Sequence, residues 1–234
     1  MLAIVRWLSV GLLAWSAWAL AGHIEPPEGR EPTEWMGPQL LKPSEAGIGR
    51  RIPDQVLGTV FGAKASLHDL GGERGTVILV RDPECPVSRI YGPRQARLAR
   101  EYQPLGFHFV VLYLNDLLAP EAIASDAAGF DGPVVFIRGH AFDLARVLGV
   151  QSTGDVFVLD ADQRLVFRGA VDDQYGIGFT REVVTRRYLG SALDALLQGQ
   201  PAPVPATTAP GCFIDAAPDA PSGMEYWSPD EQAG

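Results

Sequence analysis

The sequence predicts an α/β fold in which a central mixed β-sheet is covered by helices on both faces. Apolar strands alternate with helical segments along the middle of the chain, and the pattern then ends in a β-hairpin and one long helix. Alternating strands and helices favour parallel pairing, whereas a terminal hairpin adds antiparallel strands to the same sheet. No segment repeats at a fixed period, which argues against a solenoid or a propeller.

The first 21 residues have the pattern of a secretory signal peptide. Arg6 supplies a positive n-region, residues 7–20 form an apolar run, and residues 19–21 give the small-x-small cleavage pattern. The run is shorter than the roughly 20 residues that a spanning helix needs. We therefore expect an exported chain, which contacts a membrane only if this segment stays uncleaved.

The elements of the fold follow in order after an extended, Pro- and Gly-rich leader at residues 22–50. Residues 55–70 predict a β-hairpin that turns around Gly62. The near-continuous apolar run 76–82 predicts a central strand buried on both faces. A helix is expected from Pro86 to about residue 102, because proline is favourable at a first helical position.

The second half of the chain completes the domain. We expect a strand at 107–115, a helix from Pro120, a short extended piece at 132–137, a helix at 141–149, a hairpin at 155–171 and a long amphipathic helix at 181–199. On the first helix, Ile90 and Leu98 are expected to share the buried face. The folded domain is thus assigned to residues 51–199, and the Pro- and Ala-rich residues 200–234 to a tail.

The composition excludes some function classes. The 234-residue chain has 19 Lys and Arg against 28 Asp and Glu, a formal net charge of −9. A surface this acidic repels phosphate backbones, so we expect no nucleic-acid partner. The four histidines lack metal-ligand spacing, and no metal and no cofactor are expected.

Cys85 stands in the turn between the predicted strand 76–82 and the helix that begins at Pro86. Functional groups in open α/β sheets gather beyond the carboxyl ends of central strands. An N-cap residue lies where unpaired backbone N–H groups and the helix dipole favour an anion, and both lower the pKa of a thiol. Arg81 and Arg89 would add to this effect, whereas the neighbouring acids would oppose it.

Cys212 is the second cysteine of the chain and lies in the tail. Two cysteines in an exported chain suggest that Cys85 and Cys212 pair. A permanent disulfide between them would stabilise the fold by roughly 4–5 kcal/mol on the chain-entropy model. A mobile Cys212 would instead resolve an oxidised Cys85 by forming a disulfide with it. These two interpretations, and a third with inert thiols, stay open at the level of sequence.

Four stretches resemble the redoxin group of the thioredoxin-fold superfamily, which is related to the alkyl hydroperoxide reductase and thiol-specific antioxidant (AhpC/TSA) proteins. They are GIGRRIPD, CPVSRIYGP, STGDVFVLDADQRLVFRGAVDDQYG and YLGSALDALLQGQPAPV. The resemblance is to exported bacterial members and covers about residues 47–215. It implies a thioredoxin-like fold with an N-terminal β-hairpin extension, a periplasmic location and an antioxidant-type thiol oxidoreductase activity.

The resemblance also implies roles for individual residues. Cys85 would be the nucleophile, acting on a disulfide or a hydroperoxide, and Cys212 the possible resolving thiol. Supporting residues would start the helix or lie in the loop that faces the cysteine in thioredoxins: Pro86, Ser88, Arg89, Thr153 and Gly154. The partner would be an external thiol reductant or a disulfide-bearing protein.

The chain departs from the patterns of related families around Cys85. Ser88 stands where thioredoxin-like reductases carry a second cysteine, and Arg89 where Sco-type copper proteins carry one. Ile78 and Asp82 replace the proline and the threonine or serine of typical peroxiredoxins. A second hypothesis therefore stays open, namely a non-catalytic partner-binding or copper-handling module with a structural Cys85–Cys212 disulfide.

Asp172 and Asp173 form a pair of adjacent carboxylates after the last predicted strand. Such a pair can bind a cation or work as acid and base. Adjacent acids at the end of a strand are also typical of turns, and we interpret this pair as a solvated turn.

Overall fold

In the computed structural model of the protein, the apolar run after residue 74 forms the central strand of the sheet. This strand, β3 (Gly75–Arg81), has all of its residues buried. It pairs in parallel with β4 (Phe107–Tyr113) and antiparallel with β6 (Val156–Asp160). A strand that is covered on both faces needs apolar residues at successive positions, which is why this run lacks the alternation of a half-exposed strand.

Four further strands complete the main sheet: β1 (Val56–Thr59), β2 (Lys64–Ser66), β5 (Val135–Gly139) and β7 (Leu165–Gly169). The strand order is β2-β1-β5-β4-β3-β6-β7, with parallel pairing at β3–β4 and β4–β5 and antiparallel pairing elsewhere. The predicted mixed sheet is confirmed. The predicted first hairpin is formed by β1 and β2, and β1 also pairs with β5, so β2 lies at that edge of the sheet.

Helices cover the sheet on both faces, as the sequence predicts. They are α1 (Pro86–Tyr102), α2 (Pro120–Gly129), α3 (Ala141–Leu148) and α4 (Tyr188–Leu197). Helices α1, α2 and α4 pack in one core with Val77 and Leu79 of β3. Helix α3 packs in the second core with Ile78 and Val80. Since successive strand residues point to opposite faces, β3 supplies both cores.

The buried face of α1 differs from the predicted one. Tyr91, Leu98 and Tyr102 are buried, whereas Ile90 is 50% exposed. The buried positions follow the spacing of three and four residues that places side chains on one side of a helix. Ile90 and Leu98 are eight residues apart, and the tyrosine one position after Ile90 takes the place in the core.

The last helix is shorter than the predicted 181–199, because α4 begins at Tyr188. Asp173 holds the preceding segment in a non-helical conformation. Its Oδ1 accepts the backbone N–H groups of Thr185 at 2.8 Å and Arg186 at 3.0 Å. These N–H groups are therefore committed to a side chain rather than to a helical turn.

The interpretation of Asp172 and Asp173 as a solvated turn is wrong, because both are buried. Asp172 accepts a hydrogen bond from the Tyr91 hydroxyl at 2.9 Å and pairs with Arg94. Burial acts to raise the pKa of Asp173, but hydrogen bonds from Thr185 and the backbone outweigh it and lower that pKa. The two carboxylates attach α1 and the segment before α4 to the end of the sheet.

The leader and the tail form an extended ribbon beside β7. The backbone N–H of Leu41 donates to Ala206 at 3.0 Å, and the N–H of Thr207 donates to the carbonyl of Arg168 in β7 at 3.0 Å. The Thr207 hydroxyl accepts the N–H of Ala170 at 3.0 Å. The tail is thus attached to the sheet edge before it continues to Cys212.

The structure describes residues 37–176 and 178–214. The predicted signal peptide, the first part of the leader and the tail beyond residue 214 lie outside the described residues. Within the described ranges, no helix is long and apolar enough to span a membrane.

Gly169 provides a test of how firmly the tail is attached. A Cβ at this position would lie 2.1 Å from the Thr207 Oγ1, and its φ is +144°. We expect Gly169→Ala to lower the free energy of unfolding by about 1–3 kcal/mol more than the control, because of overpacking. The measurement is chemical denaturation of both variants.

Gly62→Ala is the matched control for Gly169→Ala. Gly62 also has a positive φ, +87°, but a Cβ there would meet no atom within 4 Å. Its expected cost is the backbone strain alone, about 1–2 kcal/mol. Equal losses in the two variants would show that the tail does not press on Gly169.

Candidate functional site

Cys85 is the N-cap of α1, as predicted. Its φ and ψ are −80° and 119°, and its carbonyl accepts the backbone N–H of Arg89 at 3.0 Å. Its own N–H donates to the carbonyl of Asp82 at 3.1 Å, which closes the turn after β3. Pro86 occupies the first turn of the helix, where its missing N–H costs no hydrogen bond. The thiol therefore lies beyond the carboxyl end of the central strand.

Ser88 supports the turn that carries Cys85. The Ser88 side chain is buried, and its hydroxyl accepts the backbone N–H of Asp82 at 3.0 Å. The backbone N–H of Ser88 points at the Cys85 sulfur and lowers the pKa of that thiol. A serine at this position thus contributes to the geometry around the sulfur without being a second thiol.

The tail returns to the site and pairs with the loop between α3 and β6. The backbone N–H of Thr153 donates to the carbonyl of Cys212 at 2.9 Å, and the N–H of Cys212 donates to the Thr153 Oγ1 at 2.9 Å. One step further, the N–H of Ile214 donates to the carbonyl of Gln151 at 2.9 Å. We call this contact the tail clamp, formed by residues 151–154 of the loop and 210–214 of the tail.

Two glycines permit the close approach of the loop and the tail in the tail clamp. A Cβ on Gly154 would lie 1.9 Å from the carbonyl oxygen of Pro210. A Cβ on Gly211 would lie 2.7 Å from the backbone nitrogen of Gly154. Gly154 is therefore required by sterics, and the sequence prediction of this loop as part of the site is consistent with the geometry.

The tail clamp brings the two thiols together, although they are free cysteines rather than a disulfide in this structure. The Cys85 sulfur interacts with the thiol of Cys212 and with the hydroxyl of Thr153. Because the Thr153 oxygen accepts the N–H of Cys212, its own proton is available to the Cys85 sulfur. Cys85 is only 2% exposed, whereas Cys212 is exposed.

The two thiols differ in acidity. Burial acts to raise the pKa of Cys85, but hydrogen bonds from Cys212, Thr153 and the backbone N–H of Ser88 outweigh it, so this pKa lies below its ordinary value. The hydrogen bond to Cys85, together with burial and the negative charge of Asp82, raises the pKa of Cys212 to about 11. The pair therefore combines a more acidic Cys85 thiol with a less acidic Cys212 thiol, and the hydrogen bond between them favours loss of the proton from Cys85.

The two arginines predicted to help Cys85 are used in other ways. The Arg81 guanidinium is buried and donates to Asp126 at 2.7 Å and to the carbonyl of Ser88 at 3.1 Å. Arg89 is exposed and lines a cavity of about 590 Å³, to whose lining Cys85 and Cys212 do not contribute. The expected electrostatic help from Arg81 is thus replaced by hydrogen bonds from neutral groups.

Asp155 is a buried carboxylate that the sequence reasoning missed. Its Oδ2 accepts the backbone N–H groups of Gln151 at 2.7 Å and Ser152 at 3.2 Å, inside the loop of the tail clamp. The segment Ser152-Thr153-Gly154-Asp155 has the spacing of a hydroxyl residue followed three positions later by an acid, which is typical of side chains that cap the local backbone. That spacing is the signal that would have found it.

A metal centre is not apparent in the described residues, which contain no group of three or more His, Cys, Asp or Glu side chains placed to hold an ion. Both cysteines are free thiols in this structure, and a permanent disulfide between them stays an alternative hypothesis.

No protein-family model and no curated protein matches the chain. Among solved structures, an uncharacterized conserved protein from Geobacillus kaustophilus is 27% identical, with 79% of this chain and 97% of that chain covered and a TM-score of 0.67. The hypothetical protein SMc02350 from Sinorhizobium meliloti 1021 is 23% identical, with 76% and 97% covered and a TM-score of 0.65. A putative thiol:disulfide interchange protein DsbE from Chlorobium tepidum is 16% identical, with 65% and 96% covered and a TM-score of 0.49.

The strand order of this chain shows the fold class predicted from the sequence. The parallel unit β3–α1–β4, followed by the antiparallel strands β6 and β7 and a last helix, is a thioredoxin-like α/β arrangement. The first hairpin extends the sheet on the side of β5.

The hydrogen bond between the thiols provides a pH test. We expect the ultraviolet absorbance of thiolates in the reduced protein to rise in two well-separated steps. The first step, from Cys85, lies below the ordinary thiol pKa, and the second lies near 11. In Cys212→Ala the Cys85 step moves to higher pH, because the thiolate loses a donor. An unmoved Cys85 step would show that Cys212 does not stabilise the thiolate.

Gly154→Ala tests whether the tail clamp shields Cys85. The added Cβ would collide with Pro210 and weaken docking, and a loss of about 1.4 kcal/mol is a tenfold rise in the open population. We therefore expect Cys85 to be alkylated about tenfold faster, as read by mass spectrometry. Gly129→Ala is the control, since a Cβ there meets no atom within 4 Å. Equal rates in both variants would contradict the shielding.

Proposed function

We propose that the protein is a thiol–disulfide oxidoreductase in which Cys85 and Cys212 alternate between a dithiol and a disulfide. The observation that carries the proposal is the contact between the two thiols, whose pKa values are shifted in opposite directions. Two inert or merely structural thiols have no need of this asymmetry. The low pKa of one thiol and the proximity of the other are what thiol–disulfide exchange requires.

In the oxidising half of the cycle, the Cys85 thiolate attacks one sulfur of a partner disulfide. A mixed disulfide forms, and the other partner sulfur leaves as a thiolate and takes up the proton of Cys212. The Cys212 sulfur then attacks Cys85, which releases the second partner sulfur as a thiolate and closes the Cys85–Cys212 disulfide. The partner disulfide has gained two electrons, and the cysteine pair has lost them.

In the reducing half of the cycle, a thiol reductant attacks the Cys85–Cys212 disulfide. Cys212 is the exposed member of the pair, so an incoming thiolate reaches its sulfur first. Cys85 then departs as the thiolate, and its lowered pKa makes it the better leaving group. A second reductant thiol attacks the reductant sulfur of the mixed disulfide, which releases Cys212 and leaves the reductant as its own disulfide. Exposure and acidity thus favour the same direction of attack.

Access to Cys85 in the dithiol requires a movement of the tail. Cys85 is almost fully buried, and the tail clamp lies beside it. The clamp consists of a few backbone hydrogen bonds, and such local contacts open at a lower free energy than the whole fold. A partner disulfide therefore meets the thiolate when residues 210–214 detach.

Disulfides rather than hydroperoxides are the substrates we propose. Reduction of a peroxide is accelerated by a cation or by donors aimed at the leaving oxygen. Arg81, the guanidinium next to the turn, is held by Asp126 and Gln95. Asp82 adds negative charge near the pair, as its effect on Cys212 shows. The negative charge of Asp82 and the engagement of Arg81 therefore disfavour attack on a peroxide, which develops an oxyanion, more than attack on a neutral disulfide.

The finer assignments are also part of the proposal. The resemblance to exported redoxin-domain proteins and the signal-type segment at residues 1–21 support a periplasmic location. An oxidising compartment supplies disulfide-bearing proteins as partners, and the exported chain would need an external thiol reductant there.

Trapping of mixed disulfides tests the assignment of the two thiols. With excess oxidised glutathione, we expect Cys212→Ser to accumulate a mixed disulfide at Cys85, since no second thiol resolves it. Cys85→Ser should react more slowly, because the Cys212 sulfur lies outside the start of α1, where the backbone N–H of Ser88 lowers the pKa of a thiol at position 85. Mass spectrometry of acid-quenched samples measures both, and the unchanged chain serves as the reference.

Two outcomes would contradict the proposed function. One is a Cys212→Ser variant whose Cys85 forms no mixed disulfide. The other is an unchanged chain that forms no link between Cys85 and Cys212 under the same conditions. Hydrogen peroxide in place of the disulfide decides between the two substrate classes, and faster oxidation by peroxide would overturn the choice of disulfides.

A further inference from the structure

Asp155 is buried directly before β6 and shapes the loop half of the tail clamp. Its Oδ2 accepts two successive backbone N–H groups, from Gln151 and Ser152. Its own backbone closes the same turn through a 3.1 Å hydrogen bond to the Ser152 carbonyl. Its carbonyl accepts the N–H of Val80 in β3 at 3.0 Å. The carboxylate thus joins the loop to the central strand that leads to Cys85.

Arg168 connects this carboxylate to the tail. The buried Arg168 Nη2 lies 3.9 Å from the Asp155 Oδ2 and donates to the carbonyl of Gly149 at 2.9 Å. The backbone of the same residue binds the tail, because its N–H donates to Pro205 and its carbonyl accepts from Thr207, each at 3.0 Å. Arg168 therefore contacts both the loop before β6 and the tail.

We propose that Asp155, held by Arg168, is the positioning residue that presents the loop to Cys212 and so sets how strongly Cys85 and Cys212 favour their disulfide. Asp155 is not placed in contact with either sulfur. It acts through Thr153, whose N–H and hydroxyl bind the backbone of Cys212. The inference rests on the proposed function, since it concerns the equilibrium of the same cysteine pair.

The physical argument is one of effective concentration. A thiol held near its partner closes a disulfide as an intramolecular step, and the equilibrium constant rises with the fraction of time that the thiol is held there. The loop conformation needs an acceptor for two buried N–H groups, because unpaired buried N–H groups are costly. Without this acceptor, the loop no longer offers Thr153 in the orientation that binds Cys212.

Two substitutions at Asp155 separate positioning from simple structural support. Asp155→Asn keeps an oxygen that accepts both N–H groups but loses the charge that faces Arg168. Asp155→Ala loses the acceptor and the charge together. Both variants should have lower thermal stability, since each leaves Arg168 without its buried counter-charge. Only Asp155→Ala should change the redox equilibrium.

The measurement is the oxidised fraction of the full chain in buffers of reduced and oxidised glutathione. Each protein disulfide that forms consumes one oxidised glutathione and releases two reduced ones. We expect the equilibrium constant of Asp155→Ala to be about tenfold below that of the unchanged chain, a shift of about 30 mV for a two-electron couple. Asp155→Asn should stay close to the unchanged chain.

Asp160→Ala is the matched control for Asp155→Ala. Asp160 lies at the other end of β6, and its Oδ1 also accepts two backbone N–H groups, from Asp162 at 3.0 Å and Arg164 at 2.8 Å. Its loss removes the acceptor of a local turn that lies outside the tail clamp. The redox equilibrium of Asp160→Ala should therefore equal that of the unchanged chain.

The inference is overturned if folded Asp155→Ala keeps the equilibrium of the unchanged chain, or if Asp155→Asn falls as far as Asp155→Ala. If Asp155→Ala does not fold, Asp155→Ser takes its place, because its shorter side chain does not reach both N–H groups. An unchanged chain that forms no Cys85–Cys212 disulfide at any glutathione ratio overturns the proposed function and the inference with it. The first two outcomes overturn the inference alone.

Discussion

The two hydrogen bonds between Thr153 and the backbone of Cys212 are the interaction on which the arrangement of the site depends. The rest of the thiol environment is local to the turn after β3, but the second thiol arrives from the tail and needs a fixed partner. Hydrogen bonds in both directions determine the register, so a shift by one residue would move the Cys212 side chain to the opposite side of the pairing. Gly154 and Gly211 make the contact sterically possible.

The two thiols of the site lie on different segments of the chain, whereas a pair of neighbouring cysteines would lie on one helix. Cys85 is fixed by the sheet and by the start of α1, where backbone N–H groups stabilise its negative charge. Cys212 is carried by a segment with few contacts and remains exposed. Cys85 and Cys212 therefore differ in pKa and in exposure, so an attacking group meets two unequal sulfur atoms.

The sequence was sufficient for features whose causes are local. A Cys-Pro step after an apolar run places Cys85 at a helix start without knowledge of any other part of the chain. The pairing of Cys212 had no such signature, because its partner Thr153 is distant in the chain and becomes a neighbour only through the fold. Asp173 was misjudged for a related reason, since its partners at Thr185 and Arg186 become neighbours only through the fold. The predicted burial of Ile90 was wrong because the spacing of the buried face places Tyr91 in the core instead.

The location of Cys212 after the last helix has a consequence for biosynthesis. Every strand and helix that the structure describes precedes this residue in the chain, so the described domain can fold around a solitary Cys85 thiol. Until the tail docks, such a domain has neither a second thiol at the site nor a shield over Cys85. On the proposed function, redox cycling therefore begins only when the tail docks, and a chain that terminates prematurely after α4 would carry an incomplete centre.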